Sequence, residues 1–410
     1  MTKALVVGSG LAGPVAAMAL RRAGIDASVY EAYPRDAVGV GAFLTLSVNG
    51  LDALRAIDLD GPVARLGHLT PRMVMRNHRG RRLAEFGAPG SRTVGRSDLY
   101  RALRDEARRR GVEFVHGARL TDAVTADGGV DARFADGRTV HGDLLIGADG
   151  LRSRVRTLID PAAPAPRYVP LLNAGGFARG LRLPDERGVM QMMFGRRCFF
   201  CWIVVGEDDV WWFANPPQPV EPSREQLAAT GPEDARSRLH ALLADDPGPA
   251  GRILDHTARI EYGWPTYDLP SVPVWHRSCM IVIGDAAHTA APSSGQGAAM
   301  AFEDAVQLAR CLRDLPDVPA AFRAYERLRR DRVERVVAQG RRTSTTKVAG
   351  PVGRLVRDLG MPLAARYLAR NDGAAQAWLF DHHIDWVERV EGWVRPVGGR
   401  ACRRTRPEPR

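Results

Sequence analysis

A chain of 410 residues, 45% hydrophobic and 26% charged, exceeds one ordinary core, so two are expected and most of the chain should fold. No uncharged apolar run of about 18 residues or more occurs, which argues against a transmembrane segment, and the start passes from Lys3 straight into a strand-like Ala4-to-Val7 run rather than a leader. The net charge of +11 is almost all arginine, since Lys3 and Lys347 are the only lysines; it is dispersed, so attraction of phosphorylated cofactors and anionic substrates is preferred to nucleic-acid binding.

Lys3 to Val7 leads into Gly8-Ser9-Gly10-Leu11-Ala12-Gly13, then a helical stretch Pro14 to Ala23 closed by Gly24, then a strand Ala27 to Tyr30 ending in Glu31. This is a dinucleotide fingerprint in its proper setting. Gly8 permits the tight turn, Gly10 lets backbone approach a pyrophosphate, and Gly13 with Ala16 and Ala17 lets the helix lie close to the sheet. The helix start offers free amides and partial positive charge, and Pro14 is tolerated in that first turn. Glu31 at the second strand tip is placed to accept ribose hydroxyls, which admits FAD or NAD and disfavours NADP at this site.

Farther along, Gly95-Arg96-Ser97-Asp98-Leu99 opens a helix that Ser97 is expected to cap and Gly111 to end. Asp136-Gly137 between Val130-to-Phe134 and Arg138-to-Val140 reads as a hairpin. Two apolar strands then end in acids: Leu144 to Asp149-Gly150, and Met280 to Asp285. The second continues through Pro292-Ser293-Ser294-Gly295-Gln296-Gly297 into a helix from Ala298 to Arg313. Both acids stand where parallel sheets bind ligands, although each could instead cap a turn, and Arg96 could be a surface ion pair.

Residues 71–95 and 166–269 carry alternating and aromatic strand patterns. From Val189 to Pro216 these include Met190, Met192, Met193, Phe194, Phe199, Phe200, Trp202, Trp211, Trp212 and Phe213. One parity is expected to line a lipophilic pocket and the other to pack under helices, with the choice left open. Cys198 and Cys201 have metal-like spacing but lie on a strand, where residues three apart face opposite sides. They are read as structural, and the five scattered cysteines suggest a reduced cytoplasmic setting. Ala320 to Gln339 reads as a helix with Phe322, Tyr325, Val333 and Val336 on one stripe, ended by Gly340. Pro351 to Leu368 is amphipathic but interrupted by Gly360 and Pro362. Packing on the strand-rich region is preferred there to a membrane-surface role.

These motifs, in this order, resemble the flavoprotein aromatic hydroxylases of the para-hydroxybenzoate hydroxylase type, nearest the salicylate hydroxylase and zeaxanthin epoxidase branch. Tyr267-Asp268-Leu269-Pro270 and Trp275 match as well, and the resemblance spans about residues 1–345. It implies an α/β chain, α+β overall: a Rossmann-like FAD-binding domain from 1–70, 96–165 and 270–345, and an interleaved antiparallel-sheet substrate domain from 71–95 and 166–269. A C-terminal helical segment at 346–398 and a basic, disordered tail at 399–410 would follow.

The resemblance also implies FAD contacts. Asp285 would hold the ribityl chain or adjoining phosphate, Pro292 to Ala298 would run beside the ring, and the exposed amides of Gly295 and Gly297 would face its negative charge. Asp149 would lie near the pyrophosphate, Arg96 and Gly41 (in Val40-Gly41-Ala42) would approach the flavin, and Leu120 would line the adenine through its backbone. Leu11, Ala12 and Ala32, the last standing where many relatives carry arginine, complete the cofactor-binding set. Val48 replaces a common proline before Asn49. His288 belongs to the motif's framework, so no catalytic residue and no metal site is assigned.

With no second glycine fingerprint, NADPH or NADH would be a transient reductant. The implied activity is hydroxylation or epoxidation of a small aromatic or polycyclic substrate by O2 through a flavin hydroperoxide, in a monomer or homodimer. A flavin reductase or dehydrogenase without oxygen insertion, or a non-catalytic FAD or ligand-binding protein, are the competing readings.

Overall fold

The computed structural model describes residues 2–35, 41–126, 128–347, 349–370 and 374–391. Val40 and the basic tail from 399 onward lie outside them.

Short apolar runs with no alternation build a sheet covered on both faces. Lys3–Val7 lies at its centre, with Asp26–Glu31 and then Glu113–His116 on one side and Leu144–Gly147 and then Met280–Val282 on the other, all parallel; His276–Arg277 adds an antiparallel edge. The chain switches direction between Lys3–Val7 and Leu144–Gly147, so the crevice at their carboxyl ends is the expected ligand position. The helices Ala12–Arg22 and Gly297–Asp314 pack together over this sheet. Val48–Arg55 lies against the second of them so closely that a Cβ on Gly50 would stand 2.8 Å from the Ala299 Cβ. The Asp136-Gly137 hairpin forms as read, joining Gly129–Phe134 to Thr139–Gly142, and Leu120–Ala126 completes that small sheet.

The second large sheet runs Glu261–Asp268, Arg167–Arg179, Asp209–Asn215, Phe199–Val204, Val189–Phe194, Arg72–Asn77, Arg82–Gly87. It is antiparallel except where Val189–Phe194 pairs in parallel with Arg72–Asn77, two segments far apart in sequence. Arg92–Gly95 is not in it. That strand pairs instead with Phe43–Leu46 and His68–Leu69.

Three readings of helix ends are corrected. Arg92–Gly95 runs into the Arg96–Arg109 helix with no loop, so Gly95 is the cap and Ser97 lies inside the first turn without a capping bond; Gly111, with φ at +80°, does end it. Gly340 does not stop the long helix, which runs Val318–Lys347. Its missing side chain serves packing, since a Cβ there would come within 3.0 Å of Ser294. Pro351–Arg370 is one helix despite Gly360 and an internal Pro362. It docks on the second sheet, but through Asp358 bonded to Asn77 and Arg357 over the Phe194 ring. Val352, Leu355, Val356, Leu359, Leu363 and Tyr367 are exposed.

Candidate active site

The turn after Lys3–Val7 is as tight as the glycines suggested. Gly8 has φ of +103°, and a Cβ on it would sit 2.4 Å from the Ala148 carbonyl oxygen; a Cβ on Gly13 would sit 1.9 Å from that of Gly8. A side chain at either place would push the turn out of register with the neighbouring strand. Gly10, by contrast, has open space where its side chain would be. Leu11 caps the helix that begins at Ala12, whose side chain is buried.

Glu31 is buried at the tip of its strand. Its two oxygens accept hydrogen bonds from the Ser9 amide (2.8 Å) and the Tyr33 amide (3.0 Å). Ala32 is half-buried beside it. The Ala118 amide donates to the Glu31 carbonyl, which carries Gly117 to Leu120 past this corner, with Leu120 buried. Arg104, which the sequence did not single out, holds the turn from behind: its guanidinium donates to the Ser9 carbonyl at 2.8 Å and to the Ser9 hydroxyl at 3.0 Å.

Asp149 takes the capping alternative that the residues left open. It accepts from the amides of Arg154 (2.7 Å) and Val155 (3.1 Å) and from the Ser153 hydroxyl, and so organises the Arg154–Ile159 helix start. Burial raises its carboxyl above the usual range, opposed by those hydrogen bonds. Arg156 on that helix reaches across to the Ala286 carbonyl at 2.9 Å, tying the two acidic turns together.

Asp285 differs. It opens the short Asp285–His288 helix, leaves its side chain exposed to the crevice, and accepts no hydrogen bond among the described residues. The protein around it raises its carboxyl, while the charges of His288 and Arg96 pull it down. Arg96 approaches from the other side, its chain 3.1 Å from where a Gly41 Cβ would be, with its Nε buried and unpartnered.

Pro292–Ser294 makes one 3-10 turn, Gly295 adopts a left-handed conformation, and the helix starts at Gly297. Here a correction is needed: the Gly295 amide is not free, because it donates to the Pro292 carbonyl at 3.0 Å, closing the turn. The free amides are those of the first helical turn, Gly297 and Ala298. Cβ atoms on Gly295 and Gly297 would meet nothing within 4 Å.

These features fit FAD. Side-chain-free backbone at Gly10, Gly295 and Gly297 leaves room for it, two helix starts suit its phosphates and an anionic ring, and Asp285 and the Arg96 Nε are polar groups lacking protein partners.

Behind the Asp285 turn lies a charged framework that the sequence reading missed. Arg329, 1% exposed, bridges Glu303 and Asp304; Arg332 adds two bonds of 2.8 Å to Glu303. Asp304 also accepts from the Gly284 amide at 2.8 Å and meets His288 Nε2, which makes His288 a framework residue. Asn49 links Glu303 (2.8 Å) to Gln296 (3.0 Å), at the cap of the ring-side helix. Burial alone would raise both carboxyls, but the Arg329 and Arg332 guanidiniums hold Glu303 at about 2, and His288 together with Arg329 brings Asp304 lower still. The readable signal was Arg329 itself, an arginine set in the apolar stripe between Tyr325 and Val333.

The two faces of the second sheet pack differently. Phe200, Trp202, Val204, Val210, Trp212 and Ala214 pack with Leu239, Leu243 and Ile253 of the covering helices. Phe199 and Cys201 pack on the opposite face with Met190, Met192, Phe213 and Phe43, and Trp211 joins Phe43 there. Cys198 and Cys201 therefore belong to separate cores, as a strand requires.

Such a sheet pair, with glycine and acidic turns on one side of the crevice and an aromatic wall on the other, defines the class of FAD-dependent oxidoreductases. The chain belongs to the FAD binding domain family, whose match spans residues 1–340. It is 31% identical over 353 residues to the aurachin C monooxygenase/isomerase of Stigmatella aurantiaca (82% of this chain, 86% of that one). It is 31% identical over 356 residues to the FAD-dependent urate hydroxylase of Klebsiella pneumoniae (83% and 89%). The solved structure of Klebsiella pneumoniae HpxO complexed with FAD and uric acid superposes with a TM-score of 0.80 at 25% identity, covering 91% of this chain and 95% of that one. The chain is accordingly an FAD-dependent oxidoreductase of a family of flavoprotein monooxygenases, and no helix among the described residues is long and apolar enough to cross a membrane.

Proposed function

We propose that this flavoprotein uses NADH or NADPH and O2 to hydroxylate or epoxidise a small, lipophilic aromatic or polycyclic molecule. What supports this reading is that Asp285 and the Arg96 Nε lack protein partners beside backbone free of side-chain crowding at Gly10, Gly295 and Gly297, while Phe43, just after the Gly41-Ala42 segment, packs on Phe213 of the second sheet. Bound FAD would supply the redox chemistry, taking hydride from the nicotinamide and delivering an oxygen atom from O2. The chain's own residues bind, orient and insulate.

Gly8, Gly10, Leu11, Ala12 and Gly13 would pass the pyrophosphate over the helix start, with Asp149 shaping the turn beside it rather than touching the cofactor. Glu31 keeps free lone pairs after accepting two amides, enough for ribose hydroxyls. Ala32 and the Leu120 backbone would border the adenosine. Asp285 would accept hydroxyls of the ribityl chain, and Arg96, packed on Gly41, would meet an acceptor on the cofactor. Pro292 and Gly295 would form the turn beside the ring, and the Gly297 and Ala298 amides, at a positive helix end, would stabilise negative charge there. The apolar wall would exclude the water that turns productive oxidation into peroxide release.

Anaerobic reduction of the purified yellow protein by each nucleotide, then oxygen exposure with a panel of aromatic and polycyclic candidates, tests this. The expected result is ligand-stimulated flavin bleaching and a product heavier by one oxygen atom. A consumed substrate whose product lacks added oxygen would move the enzyme to the reductases.

A further inference from the structure

One cation lies on the aromatic face of the second sheet with no carboxylate beside it among the described residues. Lys347, one of only two lysines, is the last residue of the Val318–Lys347 helix. Its Nζ donates to Asn215 Oδ1 at 2.6 Å and lies 4.1 Å from the Phe199 ring centre and 5.6 Å from that of Phe213. Asn215 is itself oriented by its amide donating to Asn173 Oδ1 at 2.9 Å, which leaves its oxygen for the lysine.

No carboxylate pairs with Lys347 among the described residues. The titratable groups facing it are the Cys198 and Cys201 thiols, both pushed up by burial and therefore neutral; Arg357 on the next helix lies over Phe194 and pairs with Asp358. The crevice side is set by packing. Phe213 meets Phe43 at 5.8 Å, and Phe43 follows the Gly41-Ala42 segment beside Arg96. Two helical turns before Lys347, Gly340 packs on Ser294 of the ring-side turn. An ammonium has three donors; one is engaged with an amide and none with a counter-charge.

We propose that Lys347 is the substrate-orienting cation of this enzyme: held by Asn215 against Phe199 and Phe213, it pairs with an anionic oxygen, carboxylate or phenolate, on an aromatic substrate. This rests on the monooxygenase reading and adds the substrate's charge to it. The half-buried Phe213 would offer a ring face to the substrate, and the ammonium would fix which edge points away from the turn at Pro292. Burial lowers Lys347 to about 8, so the ammonium, and with it the preference for an anion, is present below that pH and lost above it.

The test uses oxidised, FAD-loaded protein with 2-naphthoate and its methyl ester as probes, following perturbation of flavin absorbance. Wild type is expected to bind the acid about tenfold more tightly than the ester near pH 6.5, the scale of one charge-assisted hydrogen bond, and to lose that preference near pH 9.5. Lys347→Met should show no preference at either pH with FAD content unchanged, while Lys347→Arg should keep it at both. A Lys347→Met protein that still prefers the acid, or wild type without preference at the lower pH, overturns the proposal. Failure of the monooxygenase reading would look different: acid preference intact, with no nucleotide-driven flavin reduction.

Discussion

Charges on the two sides of the crevice are held in opposite ways. Behind the Asp285 turn, Arg329 and Arg332 neutralise Glu303 and Asp304 in a closed network, while on the second sheet Lys347 meets, among the described residues, an amide and ring faces. A buried pair that is fully matched fixes geometry and has nothing left for a ligand. An unmatched charge, or a carboxylate such as Asp285 without a donor, is where a ligand is expected to complete the valence. The same contrast separates Asp149, engaged in three capping bonds, from Asp285, although the two look alike in sequence.

The comparison breaks first at Arg329. Arg329→Met removes the cation shared by two buried carboxylates, leaving Glu303 to Arg332 and Asp304 to His288, and should cost about 3–5 kcal/mol in denaturant unfolding; a loss below about 1 kcal/mol would mean that those remaining partners suffice. Next come two glycines of the same turn: Gly13→Ala, whose Cβ would meet the Gly8 oxygen at 1.9 Å, should lower both stability and FAD occupancy. Gly10→Ala, with open space around it, should leave the melting temperature alone and weaken FAD binding about tenfold or more, about 1.4 kcal/mol, by equilibrium dialysis.

Asp285→Asn should act like Gly10→Ala rather than like Arg329→Met, with FAD affinity down several-fold and stability within about 0.5 kcal/mol of wild type. The pH profile of stability has opposite form on the two sides. Glu303 is held at about 2, below its usual 4.5, so the stability it contributes is complete above about pH 4.5 and drains as the pH falls toward 2. Lys347 is lowered to about 8 from 10.5, so protonation favours the unfolded chain, and stability should rise between those values and level off above them. Lys347→Met should flatten the alkaline rise and leave the acid limb unchanged, as read by melting temperature against pH.

Much of the cofactor side was legible because its determinants are local. Gly8, Gly13 and Gly284 mark backbone that side chains would obstruct, and short unbroken apolar runs mark strands covered on both faces. Helix ends were less legible: Gly340 and Gly360 look like stops, yet the first is a packing contact and the second is passed over. Gly95 caps a helix without announcing itself, because strand and helix join there with no loop. Arg329 was visible as an oddity in an apolar stripe, but its partners Glu303 and Asp304 lie on another helix, and no spacing rule connects them.

From the sequence alone came the dinucleotide turn, the order of the three motifs, the family and the existence of a strand-rich aromatic region, since each depends on residues adjacent in the chain. Tertiary structure alone decided which parity of Phe199 to Phe213 packs under the covering helices and which meets Phe43, which aspartate is free, and that Lys347 stands over two of those rings. These depend on segments more than a hundred residues apart meeting across one space, and a strand's alternation states that it has two faces without stating which one another layer will cover.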